Sequence, residues 1–176
     1  MTLLHMSDGH ADFGDREFMT EQYLKKLIEN MEQKKAVLVS IKESTAKQAK
    51  AMQADNPDWK AFDAMLDEKG ELIDKLNSLD DAFNAIFDRI KDDLLANKAK
   101  YKTEITHLQE QIREVTSLST SIQADELRNR DLVTKRINES RQKIRQDRKT
   151  INVTGKYYNA MNKINLIDPQ LMDTKK

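Results

Sequence analysis

Residues 101–151 read YKTEITHLQEQIREVTSLSTSIQADELRNRDLVTKRINESRQKIRQDRKTI. This stretch contains neither Pro nor Gly, so nothing in it forces a helix to stop. Its apolar positions, Tyr101, Ile105, Leu108, Ile112, Val115 and, beyond Ser119, Ile122, alternate steps of four and three. That rhythm is the seam of a helix facing another helix. The next two seam positions are polar, Glu126 and Asn129, and are followed by Val133. A step of four to Ile137 shifts the frame, and a stutter of that kind locally unwinds a coiled coil. Ser140, Ile144, Asp147 and Ile151 continue the shifted seam. The first half therefore predicts a dry packing helix and the second a half-polar one. The second half is also basic, with nine cations against three acids between Arg128 and Lys149.

The same rhythm extends outward. Leu24, Leu27, Met31, Lys34, Leu38, Ile41, Thr45, Gln48 and Met52 predict a first helix over 17–52, with the stems of Lys34 and Gln48 snorkelling along the seam. Asp55-Asn56-Pro57-Asp58 predicts a break. Asn56 is the expected cap, Pro57 the first helical residue, and Asp58 an acid at the positive helix end. Phe62, Leu66, Lys69, Ile73, Leu76, Asp80, Phe83, Phe87, Ile90 and Leu94 form the second seam, the most apolar part of the chain. Gly70 inside it reads as a tolerated glycine, with a close helix crossing as the alternative, and the composition at Ser78 allows a kink or break. The turn to the third helix falls between Ala96 and Thr103, because a straight continuation leaves both seams unburied. The expected fold is all-α, with three long antiparallel helices in a coiled-coil-like bundle. Residues 1–16 are expected to form a flexible N-terminal tail, 17–154 the bundle, and 155–176 a C-terminal tail in which Gly155 ends the helix. Tyr157, Tyr158, Met161 and Ile164 make that tail apolar enough to need a surface, its own bundle or a bound protein.

Charged residues make up 34% of the 176 and aromatics 6%, a balance suited to long helices with a thin core. The formal net charge is zero, so overall charge selects no partner. Its distribution matters more, since the acidic segment from Asp58 to Leu95 is the expected neighbour of the basic one. The absence of Cys excludes disulfides, thiol catalysis and Cys-ligated zinc. No apolar run approaches the ~20 residues of a membrane span, and residues 1–15 lack the pattern of a secretory signal. There is no phosphate-binding glycine loop; Gly155-Lys156 lacks both flanks of that motif. His5 and His10 stand without a further fixed ligand, and His107 flanks the seam, so neither a metal, nor a cofactor, nor catalysis is expected. Two other classes compete with protein carriage. One is a structural or adaptor coiled coil that fills its seam by self-association. The other is nucleic-acid binding by the basic helix 128–149, which has no interleaved aromatics to support it.

Glu68-Lys69-Gly70-Glu71-Leu72-Ile73-Asp74-Lys75-Leu76, with Leu79, Asp80 and Phe83, resembles the central segment of FlgN-type flagellar export chaperones. Glu126, Asn129, Arg130 and Leu132, with the stretch Arg141 to Arg148, are similar to that family's last helix. Tyr157-Tyr158, Met161 and the ending Asp173-Thr174-Lys175-Lys176 resemble tails of clostridial-type members, although here Gly155-Lys156 precedes Tyr157 where those members commonly place Tyr directly before Gly. The resemblance implies a cytoplasmic chaperone that is not an enzyme. It implies binding of the C-terminal helices of hook-associated flagellar junction proteins, protection from premature association, and delivery to the export gate; the residues themselves offer an exposed Tyr157 or Tyr158 as the gate contact. The residues place an amphipathic client helix on Val133, Ile137, Ile144 and Ile151, with Tyr157, Tyr158 and Met161 closing over it. Glu126, Asn129 and Arg130 mark the boundary of the dry bundle.

Overall fold

The computed structural model describes residues 9–143, 155–157 and 159. Three helices form it: α1 (Gly9–Met52), α2 (Trp59–Ala96) and α3 (Lys102–Lys143). Cross-helix contacts fix their directions. Lys35 meets Glu114 and Lys42 meets Ser121, a constant offset along the chain, so α1 and α3 run parallel. Lys34 meets Asp80 while Gln48 meets Lys69, so α2 runs against α1. The bundle is up-down-up, each helix antiparallel to the next.

Several local expectations change. α1 begins at Gly9 rather than Glu17. Of the added residues, 13–16 are exposed, Phe13 at 67%. The α2 cap is Asp58, not Asn56, and Pro57 lies outside the helix. The Asp58 carboxylate accepts from the N–H groups of Lys60 and Ala61, both at 3.0 Å, and a charged acceptor suits the positive helix end better than an amide does. α2 is unbroken at Ser78, whose hydroxyl donates to the Asp74 carbonyl within the helix. Gly70 is the tolerated glycine expected, since a Cβ added there meets nothing within 4 Å and no close crossing accounts for it. The second turn falls where expected. Asn97 caps α2, its N–H donating to the Asp93 carbonyl at 3.0 Å, and α3 starts at Lys102.

α1 is the hub. It packs along both partners, whereas the Cα atoms of α2 and α3 nowhere come within 8 Å of each other. Side chains must bridge that gap. The main core joins Leu24, Leu27, Met31, Leu38 and Ile41 to Ile73, Leu76, Ile90 and Leu94, and to Leu108, Ile112, Val115 and Ile122. A second, smaller core lies beyond it, where α1 ends and α2 begins. It contains Met52, Phe62, Leu66, Val133, Ile137 and Tyr157.

Candidate functional site

Between the two cores lies a layer of buried polar side chains. Thr45, Gln48, Lys69, Glu126 and Asn129 are all at most 6% exposed. The Lys69 ammonium donates to the Glu126 carboxylate and, at 2.5 Å, to Gln48 Oε1. The Thr45 hydroxyl stands 2.8 Å from the same Glu126 oxygen, and Asn129 Nδ2 donates to the Thr45 carbonyl at 2.8 Å. Every helix contributes, so the layer fixes their register. Burial pushes the Lys69 pKa below its ordinary value, and the Glu126 charge and hydrogen bond oppose that shift. Gln48 and Lys34 therefore do not snorkel. Gln48 is fully enclosed, and Lys34 pairs with Asp80, itself pushed above the usual carboxylate range by burial.

The expected charge pairing of α2 with α3 takes a different form. An ion pair that does join them is Lys69–Glu126, with the cation on the acidic helix and the acid on the basic one. Arg128 and Arg136 pair instead with Asp125 and Glu139 of their own helix, and Arg136 also donates to the Met52 carbonyl at 2.8 Å.

Past this layer, Phe62 and Leu66 of α2 and Val133 and Ile137 of α3 pack in one cluster with Tyr157, and the space between the two helices there is the α2–α3 cleft. Trp59 Nε1 donates to the Ser140 hydroxyl at 3.2 Å across its outer end. An open cavity of about 260 Å³ adjoins it there, lined by Pro57, Trp59, Arg136, Glu139, Ser140 and Lys143 among others. The inner end is filled by the chain's own tail. The Tyr157 ring lies 6.4 Å from that of Phe62, and its hydroxyl donates to the Glu126 carbonyl at 3.0 Å. Lys156 bridges Asp63 at 2.9 Å and Asp67 at 3.1 Å, which raises its pKa above the ordinary value.

The sequence-predicted residues distribute as follows. Val133 and Ile137 are 2% and 4% exposed, under Met52, Phe62, Leu66 and Tyr157, so they do not form an open seam in this state. Tyr157 is 2% exposed, which removes it as an exposed gate contact here. Glu126 and Asn129 sit in the polar layer, and half-buried Arg130 pairs with Asp131 at 3.8 Å. Gly155 is the first described residue of the helical segment 155–157, and the helix end expected just before it, over 152–154, lies outside the described residues. Ile144, Ile151, Tyr158 and Met161 lie outside the described residues. Sequence reasoning missed the α2 wall of the cleft, Trp59, Asp63 and Asp67. Trp59 carried a signal as the sole Trp beside a helix start; the two acids carried none, since α2 is acidic throughout.

Among the described residues no group of three or more His, Asp or Glu side chains gathers around a point where a metal would sit. No helix there is long and apolar enough to cross a membrane. No curated protein and no solved structure matches the chain. A family model described as FlgN protein matches residues 19–163, which takes in all but the first turns of α1, the whole of α2 and α3, and the tail segment in the cleft. The chain belongs to the FlgN family, the chaperones of flagellum assembly and protein export.

Proposed function

We propose that this chaperone works in the cytoplasm on hook-associated junction proteins. It takes their C-terminal helices into the α2–α3 cleft, keeps those helices from associating early, and hands them to the export gate. The observation that carries this reading is the second core. It is closed by Tyr157, which belongs to a separate segment and not to the three rods. Phe62 and Leu66 of α2 and Val133 and Ile137 of α3 share this core with it, and they are the apolar wall proposed to receive a client once the ring leaves. Helix-in-groove recognition needs such a surface, with anchors at helical spacing. The residues proposed to hold the client are Val133 and Ile137 with the adjoining Ile144 and Ile151. Tyr157, Tyr158 and Met161 belong to the cover, and Glu126, Asn129 and Arg130 form the inner stop. Ion pairs and hydrogen bonds in the polar layer would exclude an apolar helix from running further into the bundle.

Binding of synthetic C-terminal junction-protein peptides, measured by calorimetry, tests the assignment. Trp59→Ala and Leu132→Asp alter the cleft rim, where both side chains are half-buried against the second core. Leu95→Asp is the control; Leu95 is 57% exposed at the far end of α2, ~54 Å away. Rim variants that keep their helical circular dichroism should bind at least tenfold more weakly, with the control unchanged. Equal affinity in all of them would remove the cleft from the client site.

A further inference from the structure

The segment seated in the cleft has a definite chemistry, and this extends the client reading above, on which it rests. Tyr157 supplies a flat apolar ring to Phe62 and a hydroxyl to the Glu126 carbonyl. Its neighbour Lys156 supplies a cation to two acids one helical turn apart, Asp63 and Asp67. The cleft thus has an apolar inner wall, a carbonyl acceptor at its base and a negative rim. The tail reaches it by reversing direction. From Lys143 back to the level of Glu126 is seventeen residues of α3, ~26 Å. The eleven intervening residues, 144–154, span up to ~40 Å when extended. The chain is therefore long enough to occupy its own cleft. Among the described contacts that seat it are the buried Tyr157 ring, its hydrogen bond to the Glu126 carbonyl, and the Lys156 ion pairs at an exposed position.

We propose that Lys156–Tyr157 is a self-occupant that a client helix displaces, and that the displacing segment carries the same pair of features, an aromatic or bulky apolar side chain beside a cation. The cover keeps the groove from aggregating while empty, and it sets the affinity of the loaded state. A cleft open in about one molecule in ten binds about tenfold more weakly than one always open.

Trp59 is the sole Trp of the chain and its ring lies 6.0 Å from that of Phe62, so its emission reports on the cleft. The full-length Tyr157→Ala protein should show altered Trp59 emission. A synthetic peptide of residues 152–163 should bind it and restore the wild-type spectrum. The same peptide with Lys156→Glu should bind at least tenfold more weakly at low salt. No restoration at any peptide concentration overturns self-occupancy, and equal binding of the two peptides overturns the cation requirement. In a second arm, junction-protein C-terminal peptides should bind Tyr157→Ala about tenfold more tightly than wild type. Equal or weaker binding overturns displacement. Peptides that bind neither protein, with the first arm succeeding, overturn the client reading and with it displacement, while self-occupancy stands.

Discussion

Glu126 has two partners of opposite consequence. Its carboxylate holds Lys69, and its carbonyl receives Tyr157. Removing one member of a buried ion pair leaves the other charge stranded, which costs about 3–5 kcal/mol, whereas replacing both by apolar groups is often neutral. Glu126→Leu should therefore lower the unfolding free energy by about that amount in urea titrations. The double variant Lys69→Met/Glu126→Leu should recover most of it. Lys69 also links stability to pH. Burial holds its folded pKa below the ordinary 10.5, with Glu126 opposing. Between the folded value and 10.5 the unfolded chain binds more protons, so the unfolding free energy rises with pH across that window. Urea titrations from mildly to strongly alkaline pH should show the rise in wild type and its loss in Lys69→Met.

At the scale of elements, α2 carries two features of known size. Asp58 is its cap, and Asp58→Ala should cost ~1 kcal/mol. Gly70 lies mid-helix with a conventional backbone, and open space surrounds the position of an added Cβ. Gly70→Ala should accordingly stabilise the protein by about 0.5–1 kcal/mol, read as a rise in Tm. The seams of all three helices were legible because steps of three and four report directly on which face is buried. Helix ends were less so. Asn56 and Asp58 are both competent caps, and the one used is Asp58, the charged acceptor with an extended backbone. Ser78 has the composition of a break, yet a hydroxyl that bonds back to its own helix leaves the rod intact.

Across the whole molecule, periodicity alone predicted an up-down-up bundle and a change of character after Ile122. The apolar tail offered two resolutions, a return onto its own bundle or a bound protein, and at Tyr157 the chain takes the first. Val133 and Ile137 have neighbours, one of which comes from a segment past the third rod. No local pattern around Tyr157 encodes a return to Phe62 and Glu126, because the contact spans many residues and depends on the α2–α3 gap being wider than either gap with α1. The described part of the basic block, Arg128 to Lys143, pairs otherwise than expected for a related reason. Its exposed members have solvent and same-helix partners available, so opposite composition does not enforce pairing. Hydrogen–deuterium exchange of the full-length protein, with and without a junction-protein C-terminal peptide, tests the cleft as client site most directly. The account predicts that exchange changes concentrate in 59–66, 126–140 and the segment around Tyr157, with the rods over 24–41 and 73–94 unaltered. Protection confined to those rods, with 59–66 and 126–140 unchanged in the complex, would contradict it.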